Sequence, residues 1–177
     1  MITINTNKCN PISQNNYNDF INSIDFHNLQ CTCGHSACLI KHGYYHRFLK
    51  TCDCNKIRLS ILRVKCNFCK KTHALFPIDM VPYSSISLSD HVSIIMNHEQ
   101  QRSQEHLISS KPTIDESNIS YIIRMYQKYW KQRLLAYMIS LSDSIYSICS
   151  QCILHFQLQF MQIKRRRNLF LDLTHIT

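Results

Sequence analysis

Two separated groups of cysteines place the strongest constraint on how this chain can fold. Cys31, Cys33 and Cys38 lie close together, and Cys66 and Cys69 form a Cys-x-x-Cys pair further along the chain. Thiolates are strong ligands for Zn²⁺, and structural zinc sites hold the ion with four ligands in a tetrahedron. Two cysteine-bearing turns joined by a pair of strands are typical of a zinc ribbon. The pattern therefore predicts that the two turns meet around one structural zinc ion.

The cysteines of the second turn have the standard two-residue gap between metal ligands. In the first turn, three different pairs of cysteines could supply the other two ligands. These pairs are Cys31 with Cys33, Cys31 with Cys38, and Cys33 with Cys38. A gap of one residue strains a chelate, so the wider spacings stay open alongside the narrow one. Gly34 lets the backbone turn so that amide groups can face the sulfurs.

Three histidines near the cysteines, His35, His42 and His73, are interpreted as packing or hydrogen-bonding groups rather than as ligands. Cys52 and Cys54 lie between the two expected strands and are interpreted as part of an exposed turn. Residues 1–30 carry little information beyond a short amphipathic helix near 16–26, which we expect to cover one face of the ribbon.

The hairpin strands are predicted over residues 39–50 and 57–65. In the second strand, Ile57, Leu59 and Ile61 alternate with Arg58 and Ser60, which is the period of a half-buried strand. The aromatic residues interleaved here are assigned to the core, with stacking on nucleic-acid bases as the alternative; they are Tyr44, Tyr45, Phe48 and Phe68. The cations are expected to contact phosphates, and those chosen are Lys41, Arg47, Arg58, Arg63 and Lys65.

The charge balance favours a polyanionic partner. Lys and Arg number 20 against 11 Asp and Glu, a formal net charge of +9. Only two glycines are present, which argues against a Gly-rich phosphate loop and favours helices after the ribbon. We find no apolar run long enough to span a bilayer and no signal-peptide pattern, and the cysteine spacing suits a reduced metal protein. A cytoplasmic location is therefore expected.

The sequence pattern after residue 86 predicts helices. Residues 74–86 are expected to form an extended connector, and Ser87 is a candidate N-cap for a helix near 88–100. A short helix is predicted near 104–109. The pattern Thr113-x-x-Glu116 predicts a capping box that begins a continuous helix with an apolar face reaching Leu141.

A last helix is predicted over 143–164, with Ser142 and Asp143 at its start. Cys149 and Cys152 fall on its apolar stripe, so they are interpreted as small buried residues.

The short helix, the turn and the polar, cationic helix that follows have the outline of a helix-turn-helix. In that motif the start of the last helix enters the major groove. Asn can read adenine and Arg can read guanine by paired hydrogen bonds. The residues expected to contact DNA here are Ser117, Asn118, Ser120, Tyr121, Arg124 and Lys128. The basic run Lys164, Arg165, Arg166 and Arg167 is added as a candidate phosphate contact.

The segments CTCGHSACLIKHGYYHRFLK, IRLSILRVKCNFCKKTHALFP, VPYSSISLSD and DESNISYIIRMYQKYWKQRL together resemble a bacterial zinc-ribbon family. They are similar to the N-terminal DNA-binding part of insertion-sequence transposases, over roughly residues 28–165. The resemblance implies a zinc ribbon and a helix-turn-helix linked to mobile DNA. Such transposases continue into a catalytic domain with three spaced carboxylates. Acidic residues are few and scattered in this chain, so the expected molecule is not an enzyme.

The expected fold class is α+β, a small zinc-ribbon hairpin followed by an all-α helix-turn-helix-like bundle. The expected parts are a lead-in at 1–30, the ribbon and connector at 31–86, the helical domain at 87–141 and a C-terminal helix and tail at 142–177. The expected function is binding of double-stranded DNA, in mobile-DNA biology or in transcriptional regulation. The alternative is a protein-interaction adaptor or inhibitor that uses the helical surface, and a homodimer is compatible with either.

Overall fold

The computed structural model describes residues 2–5, 12–50, 56–110, 113–163 and 169–172. The chain is a mixed α+β protein, as predicted. The strands are β1 (Ile2–Asn5), β2 (Leu39–Lys50), β3 (Lys56–Cys66), β4 (Thr72–Pro77) and β5 (Leu169–Asp172). The helices are α1 (Gln14–Ser23), α2 (Leu88–Glu99), α3 (Glu105–Ser110), α4 (Glu116–Tyr129), α5 (Lys131–Ala136) and α6 (Ile145–Phe156).

The chain packs as two compact units. Unit 1 comprises Met1–Arg47, Arg58–Ile78 and Arg166–Thr177, and unit 2 comprises Phe48–Ile57 and Asp79–Arg165. The predicted division into four parts stays a prediction. Among the helices in the described residues, none combines the length and the hydrophobicity needed to cross a bilayer.

One five-stranded sheet has the order β2-β3-β4-β1-β5. Strand β2 matches its predicted range, and β3 extends the predicted range by one residue at each end. Strand β4 runs antiparallel to β3, whereas β1 runs parallel to both β4 and β5. Strand β1 was not predicted, yet its residues Ile2, Thr3 and Ile4 are fully buried. Ile2, Thr3, Ile4 and Asn5 do alternate apolar and polar residues, but four residues are the shortest span over which this alternation indicates a strand.

The extended connector predicted over 74–86 was wrong in its first part, which is a strand of the sheet. Residues Thr72–Pro77 form β4, with Val64 opposite His73 in the register to β3. Leu75 and Phe76 are buried there, and the carbonyl of Leu75 accepts from the hydroxyl of Tyr17 on α1.

Helix α1 confirms the predicted N-terminal helix, two residues earlier than expected at its start. Ser13 accepts a hydrogen bond from the amide of Asn16 and caps it. Tyr17, Phe20 and Ile21 are buried, and the Tyr17 hydroxyl bonds to the backbone of β3 and β4. The helix therefore packs on the sheet of unit 1.

In unit 2, Ser87 caps α2 as predicted. Its hydroxyl accepts from the amide of Asp90 at 3.1 Å, and the Asp79 carboxylate accepts from the amide of Ser89 at 2.8 Å. Both amides belong to the first turn of α2, whose N–H groups have no partner within the helix.

The predicted capping box at α4 was wrong. The N-cap is Asp115, whose carboxylate accepts from the amide of Asn118 at 2.8 Å, and Glu116 is the first helical residue. Asp is a stronger N-cap than Thr, so the N-cap lies two residues after Thr113 and the helix begins at Glu116.

The continuous helix predicted to reach Leu141 is two helices. Trp130 separates α4 from α5 with φ −119°, and its ring lies edge-on to Phe156 and Phe160. Trp130 is fully buried, so its packing sets the local backbone. Helix α5 ends at Ala136, and Met138 adopts φ +53°.

The last helix is shorter than predicted. Helix α6 is capped by Ser144, and its first residue is Ile145. It ends where Gln157 adopts φ +54° and donates to the carbonyl of Ile153. Cys149 and Cys152 are fully buried, which confirms their assignment to the core.

Candidate metal centre and nucleic-acid interface

Four cysteines from two distant turns of unit 1 bring their sulfur atoms together. The Sγ atoms of Cys31, Cys33, Cys66 and Cys69 all lie within 4.8 Å of one another. The first two come from the loop before β2, and the last two from the end of β3 and the turn after it. This arrangement is compatible with a metal site.

Two of the sulfur–sulfur distances between the turns fit the tetrahedral coordination of one ion. Cys31 Sγ lies 3.7 Å from Cys69 Sγ, and Cys33 Sγ lies 3.8 Å from Cys66 Sγ. A tetrahedron with metal–sulfur bonds of about 2.3 Å has sulfur–sulfur edges of about 3.8 Å. Each of these two edges joins one turn to the other, so a bound ion would cross-link the two turns.

The narrow Cys31–Cys33 spacing is accommodated by the first turn. Gly34 adopts φ +92°, and its amide donates to the carbonyl of Cys31 at 2.9 Å. The amide of Cys31 in turn donates to the carbonyl of His35 at 2.9 Å. Of the three pairs that the sequence left open, Cys31 with Cys33 is the one in the four-sulfur cluster.

The second turn closes on itself. The amide of Cys66 donates to the carbonyl of Lys71 at 2.9 Å, and the amide of Cys69 donates to the sulfur of Cys66 at 3.4 Å. Lys70 adopts φ +59°, a conformation that usually favours glycine. Both cysteines of this turn were predicted as ligands.

Cys38 lies beside the cluster. Its thiol donates to the carbonyl of His35 at 3.1 Å, and its sulfur lies 3.4 Å from that of Cys66. Its carbonyl accepts from the amide of Asn67 at 2.8 Å, which holds the two turns together.

Two histidines contact the cluster in the way the sequence suggested, as hydrogen-bonding groups. His73 Nε2 lies 3.3 Å from Cys31 Sγ, and His35 Nδ1 lies 3.5 Å from Cys33 Sγ. Burial lowers the pKa of His73 to about 4, so its ring is neutral at pH 7 and can donate one N–H to sulfur. The ring of His35 stacks on Phe68 at 4.3 Å.

The thiols of the cluster differ in acidity. Burial raises the pKa of Cys31 to about 12. Hydrogen bonds from the backbone of His35, and then from its side chain, lower the pKa of the exposed Cys33 to about 6. Burial opposes ionisation of Cys66, but hydrogen bonds led by the Cys69 amide outweigh it and lower that pKa. A cation at the centre would supply the positive charge that buried thiolates need.

The face of α4 that was predicted to contact DNA is exposed in unit 2. The residues that are exposed along it recur at intervals of three and four, and they are Ser117, Ser120, Tyr121, Arg124 and Lys128. The guanidinium of Arg124 lies 5.7 Å from the centre of the Tyr121 ring. These side chains share one side of the helix.

Asn118 is the exception in the predicted set. It is half-buried, and its side-chain oxygen accepts from the Lys50 ammonium at 2.5 Å. Its amide oxygen is therefore already used within unit 2. Sequence reasoning missed this partner, because Lys50 lies on β2, far away in the chain.

The cations of unit 1 that were predicted to contact phosphates differ in how exposed their side chains are. Lys41, Arg58 and Arg63 are exposed, whereas Arg47 and Lys65 are half-buried. The guanidinium of Arg47 lies 5.0 Å from the centre of the Phe76 ring. Lys164, Arg165, Arg166 and Arg167 lie outside the described residues, as do Cys52 and Cys54.

The assignment of the interleaved aromatics to the core was wrong for three of them. Tyr44 is 53% exposed, Phe48 56% and Phe68 62%, while Tyr45 is half-buried. The hydrophobic positions of the sheet are occupied by aliphatic residues instead, such as Leu59 and Ile61.

Residues 31–116 match a family model described as a domain of unknown function, DUF6431. The match contains the four-sulfur cluster and ends at the first residue of α4. No curated protein and no solved structure matches the chain.

Proposed function

We propose that this chain is a DNA-binding protein. In this proposal unit 1 is a zinc ribbon built around one structural zinc ion, and α4 of unit 2 contacts double-stranded DNA. Four thiolate donors suit zinc and leave no open position for substrate or water, as in structural rather than catalytic sites. The proposed protein is therefore not an enzyme. By the transposase-like resemblance, it acts in mobile-DNA biology or transcriptional regulation in the cytoplasm of a bacterium.

The observation that carries DNA binding is the exposed face of α4. A short helix, α3, precedes it across a turn, in the order of a helix-turn-helix. Arg124 and Lys128 supply cations, and Ser120 and Tyr121 supply hydroxyl groups on the same face. The net charge of +9 favours the same kind of partner.

The test is the binding of a labelled DNA duplex to the zinc-loaded chain at two salt concentrations. The double variant Arg124→Ala, Lys128→Ala is expected to reduce the slope of log affinity against log salt by about 1.8, since each lost phosphate contact contributes about 0.9. Arg102→Ala is the matched control, because Arg102 is an exposed cation of unit 2 on the loop before α3. Equal losses for the control and the double variant would contradict the assignment of the α4 face.

A second candidate is an interaction module that uses the end of α5. Met138 is 91% exposed and Leu135 is 62% exposed, and the Tyr137 ring beside them stacks on His155 at 4.2 Å. Such exposed apolar groups suit a second copy of the chain. Sedimentation analysis would then give a dimer that Leu135→Glu converts to a monomer, with weak binding to any DNA.

A further inference from the structure

An open cavity of about 540 Å³ lies on unit 1, away from the four cysteines. Its volume falls in the range of about 300–1,000 Å³ that is usual for small-molecule sites. Six residues from three elements line it: Gln14 and Asn18 of α1, Tyr44 and His46 of β2, and Arg58 and Ser60 of β3.

The lining combines an aromatic ring with positive charge. Tyr44 and His46 share one face of β2, and Arg58 and Ser60 share one face of β3, since alternate residues of a strand point to the same side. The Tyr44 ring is 53% exposed, and Arg58 is exposed as well. The cavity lining includes no carboxylate. A planar, anionic ligand matches this surface.

Hydrogen bonds fix the rim of the cavity. The side-chain oxygen of Gln14 accepts from the backbone amide of Ser60 at 2.6 Å, and its side-chain nitrogen donates to Asn18 Oδ1 at 2.7 Å. The first bond attaches the start of α1 to β3, and the second holds the Gln14 side chain against the next turn of α1. The ring and the cation are therefore presented from a preorganised strand surface, which reduces the entropy cost of binding.

We infer that this cavity binds one unpaired nucleotide of single-stranded DNA, with the base stacked on Tyr44 and a phosphate oxygen bound by Arg58. Stacking on an aromatic side chain beside a basic groove is the way single strands are held without sequence readout. The inference rests on the proposed DNA-binding function for its polymer, but it uses a different unit from the α4 face. No covalent step is involved.

The test is fluorescence anisotropy of a labelled twelve-nucleotide oligo-dT with the zinc-loaded full chain, with the DNA duplex measured in parallel. Tyr44→Ala is expected to weaken oligo-dT binding about tenfold, because one base–aromatic stack is lost. Tyr44→Phe keeps the stacking ring and is expected to stay within about twofold. Arg58→Ala is expected to lower the salt slope for oligo-dT by about 0.7, the value for one contact to a single strand.

Arg102→Ala is the matched control for charge. Arg102 is an exposed arginine of unit 2 that does not line the cavity, so its loss is expected to leave oligo-dT binding nearly unchanged. An equal effect of Arg58→Ala and Arg102→Ala would overturn the inference, and so would equal losses for Tyr44→Ala and Tyr44→Phe.

The outcomes also separate this inference from the proposed function. If the protein binds the duplex but not oligo-dT, the single-strand site alone is contradicted. If it binds neither the duplex nor oligo-dT, the proposed DNA-binding function is contradicted as well. Tighter binding of oligo-U than of oligo-dT would overturn the choice of DNA in favour of single-stranded RNA.

Discussion

The hydroxyl of Tyr17 donates to the backbone carbonyl of Leu75 at 3.0 Å, deep inside unit 1. The same oxygen accepts from the backbone amide of Leu62 at 3.0 Å. Arg63 pairs with Ala74 in the register of β3 and β4, so Leu62 and Leu75 are the next two residues in line. The phenol therefore links the two strands next to the Arg63–Ala74 pair and anchors α1 to the sheet.

Tyr17→Phe is expected to lower the free energy of unfolding by about 3 kcal/mol. The substitution keeps the ring but leaves a buried amide and a buried carbonyl without their partner, and each such group costs about 1–3 kcal/mol. Urea unfolding followed by circular dichroism measures the change. Tyr44→Phe is the control, because that ring is 53% exposed and its change is expected to stay within about 0.5 kcal/mol. Equal stabilities of the two variants would show that the Tyr17 hydroxyl contributes little.

Zinc binding is expected to require the four clustered cysteines. Cys31→Ser, Cys33→Ser, Cys66→Ser and Cys69→Ser should each reduce the zinc content from about one ion per chain, since three sulfurs leave the tetrahedron open. Elemental analysis after dialysis measures the content, and the thiolate charge-transfer bands of the Co²⁺-loaded protein report the number of sulfurs.

Cys38→Ala is the discriminating variant for the metal centre. Cys38 lies 3.4 Å from Cys66 but outside the four-sulfur cluster, so the variant is expected to keep its zinc and its Co²⁺ spectrum. Loss of zinc from Cys38→Ala, with zinc retained by Cys33→Ser, would assign Cys38 in place of Cys33.

Unit 2 is expected to lose stability as the pH falls from 6.5 towards 4. His91 Nδ1 lies 2.7 Å from the carbonyl oxygen of Ser87, and burial lowers the pKa of His91 to about 4. In the unfolded chain this pKa is about 6.5, so between the two values the unfolded state binds the extra proton. The free energy of unfolding should therefore fall by up to about 1.4 kcal/mol per pH unit in this window.

The fluorescence of Trp130 measures this pH dependence, because it is the only tryptophan and it lies in unit 2 with His91. His91→Gln cannot take up a proton, so its unfolding energy should vary less steeply with pH than that of the unaltered chain. Identical slopes for the two proteins would place the pH dependence on other groups.

Met138→Gly is expected to stabilise unit 2 by about 0.5–1 kcal/mol. Met138 adopts φ +53°, which costs an L-residue roughly 1 kcal/mol or more, and its side chain is 91% exposed, so little packing is lost. Leu135→Gly is the matched control, because Leu135 is an exposed residue within α5, where glycine should destabilise by about 1 kcal/mol. Urea unfolding followed by Trp130 fluorescence compares them, and a destabilised Met138→Gly would contradict the strain argument.

Local signals predicted much of the secondary structure. Strand β2 has its predicted range, and Ser87 caps α2 as expected, because alternation and capping depend on a few neighbouring residues. The same kind of signal misled at Thr113, where Asp115 competes successfully for the N-cap position. The scarcity of glycine did not prevent tight turns, since Met138 and Gln157 adopt positive φ at helix ends.

Contacts between distant segments could not be predicted in this way. Nothing around Ile2 indicated that β1 would lie between β4 and β5, because its partners are some 70 residues or more away in the chain. The break at Trp130 likewise depends on Phe156 and Phe160, which the helical pattern of the first segment does not contain.

The sequence by itself determined that cysteines with the spacing of metal ligands lie in two separate turns, because that spacing depends only on adjacent residues. Only the tertiary structure decided that Cys31 and Cys33 are the two cysteines of the first turn in the cluster. It also decided that the Asn118 side chain accepts a hydrogen bond from Lys50. Spacing limits which atoms can meet, but which of them do meet depends on the free energy of the whole packed chain. That quantity sums many weak contacts between residues far apart in sequence, and no single stretch contains it.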